Sequence, residues 1–376
     1  MRRRALARPA AHDGAADDER IPVHVLTGFL GSGKTTVLNR VLRAPAMQGT
    51  LVIVNEFGEV GLDHLLIERP RDETILLANG CMCCTVLGDL MTTLAHLLAR
   101  REAGDIRPFD RIVIETTGLA HPAPILRTVV ADPFVAARCR MDGIVAVFDG
   151  CNGFATMETH DEARKQIAVA DTVIVSKTDR LAEGALKKTI RRLQALNRGA
   201  TVAGNDISDR SLAGMFLAGN GCRYADAPEV PSGHSHGAAA THPDAGETRL
   251  NTFALWHGEP VAADAFRLWL NAITRFRGSR LLRMKGLANV DGVPVLIQAV
   301  QDVVHEPVAL AEWPSDDRRT RIVFITDGLE RDEIAATFSA FSFRGPAAEG
   351  GPLAFSAADY ARFVAAVRRF GPMERV

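Results

Sequence analysis

The chain has 376 residues, 47% of them apolar and 24% charged, with a formal net charge of −1. That length suffices for two ordinary domains with cores of full size, and the composition is that of a globular protein. So little excess charge argues against nucleic acid or an anionic membrane as the main partner, and no apolar run approaches the roughly 18 residues of a membrane span.

Residues 1–20 carry arginines but no hydrophobic stretch, so they do not form a secretory signal. Asp17, Asp18 and Glu19 count against an Arg-rich organelle presequence, and the segment reads as a disordered tail. From 21 to about 205, short β-branched runs at 23–27, 51–55, 112–115, 144–148 and 173–176 alternate with amphipathic stretches at 35–43, 87–100, 163–170 and 185–196. Near-continuous apolar strands between helices predict a doubly wound, mostly parallel α/β sheet. Composition shifts towards Pro, Gly, Ala, Ser and His over 228–247. The expected organisation is therefore a tail at 1–20, a nucleotide domain at 21–210, a linker at 211–247 and a smaller α/β unit at 248–376. In that last block strands are expected at 250–255, 295–300 and 321–326, and helices at 262–274 and 331–339.

The first strand leads into Gly28-Phe29-Leu30-Gly31-Ser32-Gly33-Lys34-Thr35-Thr36. Glycines let the backbone wrap a phosphate with its N–H groups inward, and the helix that follows adds its positive end. In such a P-loop Lys34 reaches the β- and γ-phosphates and the Thr35 hydroxyl holds Mg²⁺. At the end of the second strand, Asn55-Glu56-Phe57-Gly58-Glu59 stands where P-loop enzymes place a nucleotide-sensing switch. Glu56 and Glu59 are candidates there for a metal or for the attacking water, against the plainer reading of a solvated acidic turn.

Asn79-Gly80-Cys81-Met82-Cys83-Cys84 follows a short strand-like run at 74–77. The Asn-Gly pair predicts a tight turn, with the thiols projecting from a loop. Soft sulfur ligands suit zinc, and three cysteines in four positions favour an open site completed by an outside ligand. Vicinal thiols acting in redox regulation are the competing reading. The other three of the six cysteines are scattered, so no disulfide framework is expected, and a reducing, cytoplasmic location follows. Glu115-Thr116-Thr117-Gly118 closes a further strand. Its carboxylate can support Mg²⁺ or orient water, and the Gly118 N–H can sense the γ-phosphate. His121 lies just beyond. Ser176-Lys177-Thr178-Asp179 ends the strand where P-loop GTPases read guanine, through a carboxylate on the base and a Lys stem over it. His234 and His236, with His242 nearby, form a second, looser candidate for holding metal.

In this order, the stretches GFLGSGKTT, VNEFGEVGLD, NGCMCCT, ETTGLAHPAPI and SKTD resemble the CobW family of P-loop GTPases. Arg283-Met284-Lys285-Gly286 and Ile322-Val323-Phe324-Ile325 resemble that family's C-terminal domain, so the likeness runs from about 21 to 341. The resemblance implies a slow GTPase serving metal homeostasis, with GTP, Mg²⁺ and Zn²⁺ (Co²⁺ in some members, including cobalt handling for cobalamin) and a client metalloprotein. It assigns metal to Cys81, Cys83 and Cys84, nucleotide and Mg²⁺ to Lys34 and Thr35, and the third GTPase motif to Glu115. It leaves self-association open. Three positions depart from the family pattern: Ser176 replaces Asn, His121 replaces Asp, and Val54 stands where some relatives carry another acidic ligand.

Overall fold

The structure is a computed structural model that describes residues 18–55, 74–77, 83–217 and 250–342. The chain divides into two compact units, one running from Glu19 to Thr252 and the other beginning at Phe253.

The first unit is built on strands β1 (Ile21–Thr27), β2 (Thr50–Asn55), β3 (Thr74–Leu77), β4 (Arg111–Glu115), β5 (Cys139–Asp149), β6 (Thr172–Ser176) and β7 (Thr201–Gly204). They form one seven-stranded sheet in the order β3-β2-β4-β1-β5-β6-β7, and the neighbours run parallel. All five residues of β6 are buried, as are six of the seven in β1, the pattern of strands covered on both faces. On one face, α1 (Lys34–Leu42) and α8 (Asp209–Leu217) share a core in which Val37, Leu38, Leu212 and Phe216 meet Leu26, Val52, Val113, Val145 and Ile174. On the same unit, α3 (Ala123–Ala131) and α6 (Asp161–Val169) pack against β5. The expected linker start at 211 falls inside α8: buried Leu212, Ala213 and Phe216 belong to the packed core, so this unit runs on at least to Leu217.

Strand order reverses beside β1. Strands β2, β3 and β4 lie to one side of it and β5, β6 and β7 to the other. The crevice at the carboxyl ends of strands flanking such a switch point is where open α/β sheets bind ligands. The loop after β1 opens there.

In the second unit, β9 (Leu281–Val290) and β10 (Val293–Val300) form an antiparallel hairpin, with β13 (Thr320–Asp327) antiparallel on the other side of β9. The hairpin turn is Asp291-Gly292, both with positive φ (50° and 86°), the backbone a two-residue turn of this kind requires. β8 (Leu250–His257) lies beside β13, while short β11 (Val303–Val304) and β12 (Val308–Ala309) pair with β10. Helix α9 (Ala263–Arg277) lays Phe266, Trp269, Leu270 and Ile273 on this sheet. After α10 (Arg331–Thr337), Phe338 and Phe341 close an aromatic cluster on Trp269, with ring centroids 5.4 and 5.1 Å away.

Candidate nucleotide-binding site

The loop leaving β1 turns through Gly28, Gly31 and Gly33, all with positive φ (142°, 67° and 92°). At Gly28 a side chain is also excluded by space, because a Cβ would lie 2.4 Å from the Val147 carbonyl oxygen of β5. The Ser32 N–H donates to Phe29 O at 3.1 Å and tightens the loop. The Ser32 hydroxyl is buried and has no hydrogen-bond partner among the described residues, as expected of a group reserved for a ligand. Lys34 opens α1 and folds back, its ammonium donating to Gly28 O at 3.0 Å and Phe29 O at 3.4 Å. Thr36 is exposed on the first turn of the helix.

From β4, Glu115 reaches the same place. Its carboxylate is only 4% exposed and accepts the Thr35 hydroxyl proton at 3.0 Å. With that proton committed, the Thr35 oxygen keeps its lone pairs for another partner. Thr116 donates to the Thr27 hydroxyl at 3.0 Å and so laces the ends of β4 and β1 together. Gly118 sits directly on the phosphate loop, where a Cβ would lie 2.6 Å from the Leu30 nitrogen.

From β6 comes the turn expected to read guanine. The Ser176 hydroxyl lies 2.5 Å from Ser32 O and 3.2 Å from Phe148 O. The departure from Asn thus keeps the loop braced, through a hydroxyl instead of an amide. Lys177 takes the left-handed conformation (φ 54°) and its ammonium pairs with the Asp149 carboxylate at 2.6 Å. Burial works to raise the pKa of Asp149. The Lys177 ammonium and the N–H groups of Asn152 and Cys151 outweigh it and hold the carboxyl below the usual range. Thr178 donates to Asn205 Oδ1 at 2.6 Å, tying the turn to the end of β7. Asp179 is exposed, its nearest ion-pair partner being Arg180 at 4.0 Å.

Lys34, Thr35, Glu115, Gly118 and Ser176 therefore converge on one sheet edge, while Asp179 stands exposed at its rim. Sequence reasoning missed Asp149 and Asn205, which hold the Ser176–Asp179 turn from two neighbouring strands. A signal for Asp149 was its place at the end of a strongly apolar strand.

Glu56, Glu59, Cys81 and the His234, His236 and His242 group lie outside the described residues. Cys83 and Cys84 are the first two residues of α2 (Cys83–Ala103), so this part of the cluster opens a helix and does not project from a loop as expected. The helical pattern starting at 87 extends one turn earlier because residues 83–86 contain no breaker that would stop it. Among the described residues no three His, Cys, Asp or Glu side chains form a group able to hold a metal. Val54 is buried in the core of the first unit. His121 accepts the Ala123 N–H on Nδ1 at 3.2 Å, and burial, with the charges of Lys165 and Arg127, pushes its pKa down to about 4. The ring is neutral near pH 7, with its proton on Nε2.

Residues 22–203 match the model of the CobW/HypB/UreG nucleotide-binding domain, and residues 250–342 match the CobW C-terminal domain. The zinc chaperone YjiA of Escherichia coli is 32% identical over 321 residues, covering 85% of this chain and 98% of that protein. The chain belongs to the CobW family. Another member, the zinc chaperone CobW of a Sinorhizobium species, is 30% identical over 365 residues, covering 87% of this chain and 98% of its own. The crystal structure of Zn(II)-bound YjiA GTPase from E. coli superposes with a TM-score of 0.60 at 26% identity, covering 86% of this chain and 99% of that one. The P-loop sheet and the antiparallel C-terminal domain are thus the CobW architecture. Among the described residues no helix is long and apolar enough to cross a membrane.

Proposed function

We propose that this CobW-family chain is a GTP-hydrolysing zinc metallochaperone of the cytoplasm, whose hold on the metal follows its nucleotide state. The observation that carries the reading is the convergence of Lys34, Thr35, Glu115 and Ser176 at one sheet edge, in a chain whose full-length relatives are named zinc chaperones.

Lys34 is poised to exchange its two carbonyl partners for phosphate oxygens. Thr35 would hold Mg²⁺ through the lone pairs its bond to Glu115 leaves available, and the ion, when bound, neutralises charge on the β- and γ-phosphates. Glu115 acts through Thr35, fixing the direction of that hydroxyl. Asp179 accepts from the guanine N1 and N2 donors, for which adenine offers no matching pair. The pairing of Lys177 with Asp149 fixes the turn that presents it.

Zinc, as cargo, is assigned to Cys81, Cys83 and Cys84. Cys83 and Cys84 open the 21-residue helix α2 and stand beside Cys81 in the sequence, and thiolates are among the ligands zinc favours. The 56–63 stretch follows β2 in the chain and carries Glu56 and Glu59. Ordering of that stretch by the γ-phosphate would draw the cysteines into a tight site, and hydrolysis would release the metal to a client protein.

Two assays on purified, reduced protein test this. GTP turnover is expected to exceed ATP turnover, to fall about a hundredfold or more in Lys34→Ala and to lose its guanine preference in Asp179→Ala. Zinc is expected at about one ion per chain and to be lost in Cys83→Ser/Cys84→Ser. Equal turnover of ATP and GTP, or zinc retained without the thiols, would contradict the proposal.

A further inference from the structure

Helix α6 carries a side chain that the nucleotide chemistry above does not use. Gln166 is 1% exposed, and its Nε2 donates to two backbone carbonyls at once, Gly118 O and Ala120 O, each at 3.0 Å. Both neighbours are acceptors, so only the nitrogen end of the amide fits against them. The Oε1 end is buried and has no hydrogen-bond partner among the described residues. Leaving a buried acceptor unmatched destabilises the fold, and natural sequences tolerate such local conflicts chiefly at working sites.

The two carbonyls belong to the loop after β4. There the Ala120 N–H donates to Thr117 O at 3.1 Å and closes a tight turn. A trans peptide is planar, with C=O and N–H pointing in opposite directions. Holding Gly118 O and Ala120 O towards α6 therefore turns the N–H groups of Leu119 and His121 away from it. Gly118 is meanwhile wedged on the phosphate loop at Leu30, so the orientation of this turn is set against the wall of the nucleotide site. The helix is itself fixed at both ends. His160, its N-cap, stacks on Phe29 of the phosphate loop with centroids 4.7 Å apart. Buried Asn197 donates to the carbonyls of Ile167, Ala168 and Ala170 at its other end.

We infer that Gln166 is a positioning residue for recognition of the terminal phosphate. It decides which face of the Gly118–Leu119 and Ala120–His121 peptides the loop presents, and it does so without touching the nucleotide. The inference rests on the GTPase reading for the identity of the ligand.

Two variants test it: Gln166→Met, of similar length but without a donor, and Gln166→Glu, of the same shape but without a donor when ionised. Dissociation constants for GDP and for a non-hydrolysable GTP analogue are compared with those of the wild type. Turnover is measured alongside, and thermal unfolding verifies that each variant is folded. GDP affinity is expected to stay within about twofold, while analogue affinity and kcat each fall about tenfold. A side chain that only packs would tolerate Met and would not distinguish the two nucleotides. Equal losses for both, or no loss for either, would therefore overturn the inference. Should one variant fail to fold, the other gives the same comparison. A wild type without turnover would contradict the GTPase reading, and the ratio of the two affinities would still decide the role of Gln166.

Discussion

In the Glu19–Thr252 unit, five buried polar side chains, Thr27, Ser32, Glu115, Thr116 and Ser176, meet at or just beyond the carboxyl ends of β1, β4 and β6, while others such as Asp142 and Asn197 are buried elsewhere in that unit. In the unit that begins at Phe253, buried polar groups are dispersed, and several serve the packing around them. Trp269 donates its indole N–H to Thr337 at 2.8 Å, Thr326 caps Leu329 O at 2.7 Å, and Thr274 bonds back to Leu270 O at 2.8 Å within α9. Polar burial is tolerated where hydrogen bonds satisfy it. The difference lies in what those bonds do. Those at the strand ends of the first unit line a crevice, whereas those named in the second close a core. The proposed chemistry is thus assigned to the parallel sheet.

The sharpest way to break that contrast is Lys34→Ala. Turnover should fall by about a hundredfold or more, as for loss of a preorganised charge on a reacting phosphate, with little change in unfolding temperature. The converse change in the second unit is Trp269→Ala. It should cost about 3–5 kcal/mol of stability by calorimetry and leave GDP affinity within about twofold. Loss of nucleotide binding in that variant would mean that the two units do not divide their tasks as described.

His121 tests whether the edge also governs acid stability. Its pKa lies near 4, below the 6.5 of an ordinary imidazole, so the unfolded chain binds the extra proton first. The stabilisation is complete above about pH 6.5 and is lost as pH falls towards 4, amounting to on the order of 3 kcal/mol. His121→Gln should flatten that part of the stability–pH curve, and an unchanged curve would exclude the assignment. Ser176→Ala is expected to act more gently. Losing one buried hydroxyl donor to Ser32 O should weaken nucleotide binding several-fold, about 1 kcal/mol, while Ser176→Thr retains the donor. Val308→Thr, on an exposed edge strand of the second unit, should change stability by less than about 0.5 kcal/mol in a melting experiment.

The same contrast explains what was legible in the amino-acid order. The turn after β1 requires glycine at fixed places, as the Gly28 contact with Val147 shows, so spacing alone located this loop and the helix start at Lys34. Strands covered on both faces read as apolar runs, and β1, β2, β4, β5 and β6 were all visible. Helix α3 was not, because the His121-Pro122-Ala123-Pro124 stretch looks like a loop, yet proline is well tolerated in a first helical turn. In the second unit β9 escaped notice although Asp291-Gly292 marks its hairpin; Arg283 and Lys285 interrupt the apolar pattern of that strand. Partners that act across the sheet, such as Asp149 with Lys177 or Gln166 with Gly118, have no local signature. They arise only when distant segments meet.

The most direct test of nucleotide-governed metal handling is zinc affinity, measured by competition with a chromogenic chelator on reduced protein with Mg²⁺. It would be run with GDP and with a non-hydrolysable GTP analogue, and repeated in Cys83→Ser/Cys84→Ser. Tighter zinc binding with the analogue, abolished by the substitutions, is the expected result, and linkage then requires zinc to tighten analogue binding by the same factor. Equal zinc affinity in the two nucleotide states would contradict the coupling.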